Sequence, residues 1–361
     1  MASEIVQSFN PKEVYFLGAG TSAVIGVPTF SDFRKKATEI YGLSSDEPKR
    51  ELFKRVLKHW REGFNEFNIE QYYAAVEMRE MLAADNSFDR ENPKNITTDD
   101  IEKFICSTIQ ESLKNIDTDE GHDKDESYYN FLSRIGISRA AIITTNWDIV
   151  LETSKFSLNS NWINYEGVKS YEIGSINRDA QFHILKLHGS LNWGFCEDCG
   201  NIYYFNKKRY DDITLGDVEC DKCKPKHVKL KTVIVPPTLS KLAKAQPQLV
   251  HIWNTAQVYL KSCEKIYFIG YSFPETDVQM KIFILNALRE NSKLNEVIIV
   301  SNQKHGQSKI DFEERCLSIL PAHFSQSKMK FDYDGFEKFY EKLPEYHTSK
   351  NGVISSEWIH E

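Results

Sequence analysis

The sequence predicts an α/β protein, in which a doubly wound parallel sheet carries a helical insertion and a small module built around four cysteines. Six short apolar segments alternate with helical segments, which is typical of parallel strands joined by crossover helices. Polar residues directly follow several of these segments, at the edge where open α/β sheets bind ligands. Two Cys-x-x-Cys pairs lie close together in the chain.

The composition is that of a globular protein. Of 361 residues, 41% are hydrophobic and 12% aromatic, which is enough for a buried core. The net charge of −7 does not supply the positive field that attracts nucleic acid. No apolar run reaches the roughly 18–20 residues of a membrane span, and the N-terminus lacks a signal-peptide pattern. We therefore expect a cytoplasmic protein with no membrane partner, in which cysteines do not form disulfides.

The six predicted strands are short, rich in aromatic and β-branched residues, and bounded by glycine or polar residues. They cover residues 13–20, 139–148, 182–190, 229–237, 265–272 and 296–302. Between the last three strands, helices are predicted over residues 246–263 and 275–291. A mostly helical insertion is predicted over residues 45–135, because apolar residues recur there at helical spacing. Its acidic segment, residues 115–126, is predicted to be a solvated loop.

Four cysteines in two Cys-x-x-Cys pairs predict a structural zinc site: Cys196, Cys199, Cys220 and Cys223. Four thiolates complete the tetrahedral shell of Zn²⁺, and such sites are usually closed and structural. His227 follows the second pair, but the four cysteines already fill the shell. The other cysteines are isolated and are predicted to be core residues: Cys106, Cys263 and Cys316.

These elements predict four parts of the chain. The sheet domain is formed by residues 11–44, 136–190 and 230–345, with the helical insertion at 45–135, the zinc module at 191–229 and a C-terminal tail at 346–361.

A glycine turn follows the first strand. The segment from Gly18 to Ala23, "GAGTSA", fits the pattern G-x-G-x-x-A, whose glycines allow a tight turn and close approach of a pyrophosphate. A dehydrogenase also needs a second strand that ends in an acidic residue about 20 positions further on. Glu39 lies in range, but no apolar strand precedes it. Hydride transfer is therefore disfavoured, while a dinucleotide ligand is not.

His188 lies at the predicted ligand edge, eight residues before Cys196. The zinc shell does not require it, and imidazole is the side chain best suited to proton transfer near neutral pH. Other strands place polar residues at the same edge: Asn146, Asp148, Ser272 and Asn302. We interpret His188 as a residue that takes part in chemistry and not as a metal ligand.

Five motifs occur in order along the chain: "GAGTSAVIGVPTF", "TTNWD", "LHGS", the paired Cys-x-x-Cys and "GYSFPETD". Together they resemble the sirtuin superfamily, in particular its prokaryotic sirtuin-like branch. The resemblance covers residues 13–305 apart from the helical insertion. It implies a Rossmann-like sheet that binds NAD, a small zinc module, and cleavage of the bond between nicotinamide and ribose.

The resemblance also implies roles for individual residues. His188 matches the family's general base, while Asn146 and Asp148 would lie at the nicotinamide ribose, so these three residues form the predicted catalytic set. The residues implied to bind NAD are Gly18, Ala19, Gly20, Thr21, Ser22, Pro28, Phe30, Asn146, Asp148, Gly270, Ser272 and Asn302.

Departures from the deacylase pattern point away from a peptide substrate. Ser31 in "GVPTFS" stands where deacylases carry an arginine, which is absent unless Arg34 substitutes, and Thr145 stands where glutamine is usual. The segment that pairs with an acyl-lysine peptide in deacylases reads "VIVPPTLSK" here, and its prolines lack amide donors. The prediction is an NAD⁺ hydrolase that releases nicotinamide and ADP-ribose, with water as the nucleophile.

Relatives with these departures deplete NAD in bacterial anti-phage defence, often as oligomers and in some cases with a HerA-type ATPase. The resemblance implies the same role, a homo-oligomer and such a partner for this chain. Three alternatives stay open. They are an NAD-dependent protein deacylase, a non-catalytic nucleotide-binding protein, and a nucleic-acid-processing subunit suggested by the basic strip at residues 224–231.

Overall fold

The computed structural model describes most of the chain. The described residues are 9–43, 45–82, 95–114, 122–135, 139–153, 163–165, 168–170, 182–205, 218–235, 247–275, 277–302, 307–321 and 324–343. The predicted tail at 346–361 lies outside them. Within these ranges no helix combines the length and the apolar character needed to cross a membrane.

The described residues contain eleven strands in two sheets. They are β1 (Glu13–Leu17), β2 (Ala140–Thr144), β3 (Ile163–Asn164), β4 (Lys169–Ser170), β5 (Phe182–Lys186), β6 (Gly189–Phe195), β7 (Ile202–Tyr204), β8 (Lys231–Ile234), β9 (Lys265–Ile269), β10 (Glu296–Val300) and β11 (Met329–Asp332). Seven form a parallel sheet in the order β11-β10-β9-β1-β2-β5-β3. The other four form a smaller mixed sheet in the order β4-β7-β6-β8.

The parallel sheet reverses its strand order at β1. The chain moves outward from β1 through β2 to β5, then returns to the other side of β1 with β9, β10 and β11. All five residues of β2 are buried, as expected of a central strand covered on both faces. Such a reversal opens a crevice at the carboxyl ends of the strands beside it. The predicted doubly wound α/β fold is confirmed.

The predicted strand over residues 229–237 exists as β8, but it lies in the small sheet and not in the parallel one. It pairs antiparallel with β6, which leaves the parallel sheet directly after β5. Gly189 makes this exit possible: its φ is +78°, and a Cβ there would lie 2.1 Å from the carbonyl oxygen of Val233. Short edge strands β3 and β11 were not predicted, because two and four residues carry little periodicity.

Eleven α-helices occur in the described residues. They are α1 (Ala19–Ala23), α2 (Phe33–Leu43), α3 (Glu47–Gly63), α4 (Ile69–Leu82), α5 (Thr98–Lys114), α6 (His122–Arg134), α7 (Val150–Thr153), α8 (Pro247–Ser262), α9 (Val278–Glu290), α10 (Gln307–Leu317) and α11 (Phe336–Phe339). The predicted helices at 246–263 and 275–291 are confirmed as α8 and α9. The predicted loop at 115–126 is wrong over its last five residues, which begin α6. Acidic residues favour the first turn of a helix, and the loop prediction gave this too little weight.

The helices of the insertion pack on one another within the same hydrophobic core as the parallel sheet. Trp60 of α3 stacks on Tyr72 of α4 with ring centroids 4.9 Å apart. The Lys49 ammonium of α3 donates to the Glu111 carboxylate of α5 at 3.0 Å. This packing places the start of α4 and one face of α5 beside the carboxyl edge of the parallel sheet, where Asn68 and Ile109 line a cavity.

Candidate active site

A cavity of about 720 Å³ lies at the carboxyl ends of β1, β2, β9 and β10, where the strand order reverses. The three predicted catalytic residues, Asn146, Asp148 and His188, all line it. The predicted NAD-binding residues that line it are Ala19, Gly20, Ser22, Pro28, Phe30, Asn146, Asp148, Gly270, Ser272 and Asn302. Gly18 and Thr21 lie behind this lining.

The glycine turn after β1 is locked against the turn after β9. The Gly20 amide donates to the Gly270 carbonyl at 2.9 Å, and the Gly18 amide donates to Ile269. A Cβ on Gly18 would lie 2.6 Å from Tyr271 Cα, and one on Gly270 would lie 2.5 Å from the Thr21 nitrogen. Gly270 also has a φ of +63°. These glycines are therefore required by the contact of two backbone turns, before any ligand is considered.

Asn146 is held in the loop after β2 by the glycine turn. Its Nδ2 donates to the Gly18 carbonyl and to the Ser22 hydroxyl, both at 3.1 Å. The Ser22 hydroxyl in turn lies 3.2 Å from the buried hydroxyl of Tyr128 on α6. These hydrogen bonds fix the side-chain amide of Asn146 against the glycine turn, at the wall of the cavity.

Asp148 is a buried carboxylate, with 7% of the residue exposed. Its Oδ1 accepts from the Val150 amide at 3.1 Å. Burial raises the pKa of Asp148 above its ordinary value, while the nearby positive charge of Lys186 and the Ser22 hydroxyl act in the opposite direction. The cavity is thus bordered by a carboxyl group whose charged form is destabilised by burial.

His188 lies in the turn between β5 and β6 and is 2% exposed. The turn is anchored on both sides of it, since Trp253 Nε1 donates to the Leu187 carbonyl and the Val235 amide donates to the His188 carbonyl, both at 2.8 Å. The His188 ring lies 6.3 Å from the Trp253 ring, centroid to centroid. His188 is therefore buried beside Trp253 of α8, at the wall of the cavity that it lines.

The loop from Pro28 to Phe30 covers one side of the cavity. The Phe30 ring lies 5.6 Å from the ring of Trp147, which also lines the cavity. Arg34 does not replace the missing arginine of this loop. Its guanidinium donates to the Asn65 carbonyl and side chain at 2.6 and 2.8 Å, and so faces the helical insertion.

The charged side chains in the described lining are all acidic. The described lining residues include no lysine or arginine. In addition to Asp148, they include four carboxylates: Glu70, Asp277, Asp334 and Glu337. Asp277 accepts a hydrogen bond from Tyr271 at 2.9 Å, and burial raises the pKa of that tyrosine. Within the described lining, the donors available to a phosphate group are amides and hydroxyls and not cationic side chains.

The four predicted metal ligands converge in the small module. Their Sγ atoms all lie within 4.8 Å of one another, and Cys196–Cys223 and Cys199–Cys220 are each separated by 3.8 Å. Tetrahedral Zn²⁺ with Zn–S bonds of about 2.3 Å requires sulfur separations of about 3.8 Å, so the cluster fits a zinc ion. His227 is not part of it, because its exposed ring pairs with the Glu219 carboxylate at 3.0 Å.

The basic strip beside this cluster is largely neutralised. Three of its lysines form ion pairs within the module: Lys224 with Asp221, Lys226 with Asp198 and Lys231 with Glu197. The pairing leaves less free positive charge for a nucleic-acid backbone, which weakens the nucleic-acid alternative. The three isolated cysteines are buried as predicted: Cys106, Cys263 and Cys316.

Two buried residues beside the site were missed in the sequence. Lys186, the last residue of β5, is 1% exposed and donates to the Glu152 carboxylate of α7 at 2.7 Å and to the Asp148 carbonyl at 2.5 Å. Glu152 also accepts from the Tyr165 hydroxyl at 2.7 Å. A lysine inside the apolar run "HILKL" was the available signal.

Comparisons with known proteins agree with this architecture. Residues 140–319 match the family model of the SIR2-like domain, a range that contains the three candidate catalytic residues and the four clustered cysteines. No curated protein matches the chain.

Solved structures were also matched. One, described as "Structural Basis for the Mechanism and Regulation of Sir2 Enzymes", aligns at 17% identity over 92% of this chain and 90% of that chain, with a TM-score of 0.41. Another, described as "The structure of Sir2Af2 bound to a myristoylated histone peptide", aligns at 15% identity over 85% of this chain and 90% of that chain, with a TM-score of 0.29. The family assignment rests on the domain match alone. On that match residues 140–319 form a SIR2-like domain of the sirtuin superfamily, which supports an NAD-dependent activity in general.

Proposed function

We propose that this protein is an NAD⁺ hydrolase, which converts NAD⁺ and water to nicotinamide, ADP-ribose and a proton. The observation that carries the proposal is the convergence of Asn146, Asp148 and His188 on one cavity beside the glycine turn. A non-catalytic nucleotide-binding protein would have no need to bury an imidazole and a carboxylate at the same wall. The SIR2-like domain supports NAD as the ligand.

The chemistry follows from the positions of these side chains. As the bond between nicotinamide and ribose lengthens, the ribose acquires oxocarbenium character, and the carboxylate of Asp148 would orient and stabilise it. Asn146, fixed through its Nδ2, would position the water or the ribose hydroxyl with its amide. His188 would accept the proton that the attacking water loses, directly or through the ribose hydroxyls.

The alternative of a protein deacylase shares the cofactor and differs in the nucleophile. β8 is an edge strand of the small sheet, and the segment that follows it is where an acyl-lysine peptide would pair. The Val235 amide is already bound to the His188 carbonyl, and the next two residues are prolines without amide donors. The prolines belong to residues 236–246, which lie outside the described part of the chain.

The same proposal places the protein in the cytoplasm as an NAD-depleting effector of bacterial anti-phage defence. It includes a homo-oligomer and a HerA-type ATPase as a regulatory partner. These parts rest on the resemblance of the sequence to defence-type sirtuin-like proteins. They are tested by measuring NAD in phage-infected cells that express the protein, and by co-purification with the candidate partner.

The enzymatic proposal is tested by incubating the pure protein with NAD⁺ and no peptide, with and without candidate partners. We expect release of nicotinamide and ADP-ribose, and a loss of about 100-fold or more in His188→Ala. His251→Ala is the matched control, because His251 is an exposed histidine of α8 that does not line the cavity. Turnover that requires an acylated peptide would establish the deacylase instead, and equal rates for wild type and His188→Ala would remove His188 from the mechanism.

A further inference from the structure

A buried lysine connects the two strand ends that carry the candidate catalytic residues. Lys186 ends β5, two residues before His188, and its ammonium donates to the Asp148 carbonyl and to the Glu152 carboxylate. Asp148 belongs to the loop after β2, and Glu152 to the short helix α7 that follows this loop. One side chain therefore joins the strand of His188 to the loop of Asn146 and Asp148.

The burial of this lysine is costly and needs a reason. A lone ammonium in a protein interior loses its hydration, and a buried ion pair is seldom more stable than an apolar replacement of similar volume. The parallel sheet does not require the pair for its register, since the Leu187 amide already donates to the Thr144 carbonyl at 2.9 Å. What the ammonium adds is a donor for the carbonyl of Asp148, which no apolar side chain could supply.

We infer that Lys186 is a positioning residue of the active site, and that its ion pair with Glu152 fixes the loop of Asn146 and Asp148 relative to His188. The inference rests on the proposed function for its kinetic consequences, but the geometry it describes does not. An ammonium can donate to the carbonyl and the carboxylate at once, and Tyr165 holds the Glu152 carboxylate from the other side.

The kinetic test compares Lys186→Met, which keeps the length and removes the donor, with Lys186→Arg and with Lys49→Met. The last is the matched control, because Lys49 also forms a largely buried pair, with Glu111 at 3.0 Å, but does not line the cavity. We expect kcat on NAD⁺ to fall about 10- to 100-fold in Lys186→Met, with a smaller change in KM. Lys186→Arg should recover part of kcat, and Lys49→Met should keep both values of the wild type.

The pH profile separates positioning from a general loss of stability. Asp148 is surrounded by Lys186 of β5, Glu152 of α7, Ser22 of α1 and Tyr128 of α6. Removing the only cation in this set should move the acidic limb of kcat/KM to higher pH, while Lys186→Arg should leave the limb in place. Lys49→Met should not move it.

Hydrogen exchange tests the inference without relying on activity. In Lys186→Met we expect faster exchange of the Val150 amide, which bonds Asp148, and of the Leu191 amide, which bonds the Trp147 carbonyl. If Lys186→Met does not fold, Lys186→Met/Glu152→Gln removes the unpaired charge and gives the same comparison. A folded variant with wild-type exchange at both amides overturns the inference. If the wild-type protein does not cleave NAD⁺, but exchange is still faster in Lys186→Met than in wild type, the proposed function is overturned and the positioning role is retained.

Discussion

Substitution of Gly270 by alanine should destabilise the protein even without nucleotide. The residue has a φ of +63°, and an added Cβ would lie 2.5 Å from the Thr21 nitrogen and 2.7 Å from the Gly20 carbonyl carbon. A left-handed backbone costs a residue with a Cβ about 1–2 kcal/mol. Overpacking against backbone adds about 1–3 kcal/mol. The two effects together predict a loss of roughly 2–5 kcal/mol in the free energy of unfolding.

Two other glycines serve as controls that separate these effects. Gly26 has a φ of +97° with no atom within 4 Å of an added Cβ, so Gly26→Ala should cost only the backbone strain of about 1–2 kcal/mol. Gly42 lies in α2 with no atom within 4 Å, so Gly42→Ala should be neutral or stabilise by up to about 1 kcal/mol.

Equilibrium unfolding in urea, without NAD⁺, measures all three free energies, with an unchanged m value as the check on comparability. A loss in Gly270→Ala no larger than that in Gly26→Ala would refute the argument from two interlocked turns. If the only defect of Gly270→Ala were weaker NAD⁺ binding, the glycine would serve phosphate approach, as its motif suggests, and not the packing of the turns.

Three further predictions concern charge and metal. Burial raises the pKa of Asp148 in the folded protein above its pKa in the unfolded chain. The contribution of this group to stability is therefore fully present below the unfolded pKa, and it is lost as the pH rises through the folded pKa. Asp148→Asn should therefore be more stable than wild type at pH 7, and the difference should shrink toward pH 4. Its rate of NAD⁺ cleavage should fall. Urea unfolding at several pH values measures the difference in stability. Lys49→Met should lose about 2 kcal/mol, because it removes a charged hydrogen bond in which Lys49 is buried and Glu111 partly buried. Lys103→Met, whose pair with Asp99 is exposed, should lose less than about 0.5 kcal/mol. Cys220→Ser or a strong chelator should remove about one zinc ion per chain. Loss of the metal should increase hydrogen exchange in β6 and β8. Metal analysis that finds no zinc in the native protein would contradict the assignment.

The sequence predicts the parallel sheet well because its strands are buried on both faces and therefore read as continuous apolar runs. β1, β2, β9 and β10 all fall inside predicted segments. Polar residues after those runs then predict the site, since the carboxyl ends of parallel strands share one edge. β8 was assigned to the wrong sheet because an apolar run carries no information about its partner, and the exit at Gly189 is decided by a tertiary contact.

The glycine turn was predicted from its motif, but the contact that also requires its glycines was not. The motif attributes Gly18 and Gly20 to a tight turn and the approach of a phosphate, and the structure adds their close contact with the turn of Gly270. That contact joins residues about 250 positions apart, and no local pattern relates them. Lys186 was missed for the same reason, since Glu152 and Asp148 precede it by 34 and 38 positions.

The cost of these buried groups is itself an argument that the cavity is a functional site. Asp148 and His188 are buried, which costs hydration that apolar side chains would not lose, and burial accordingly raises the pKa of Asp148. Lys186 offsets part of it, but only by burying a second charge. Groups that destabilise a fold persist where their chemistry is needed. Here Asp148 and His188 line the crevice at which open α/β sheets bind ligands, and Lys186 lies behind them. The substitutions that stabilise this edge should therefore be the ones that abolish activity.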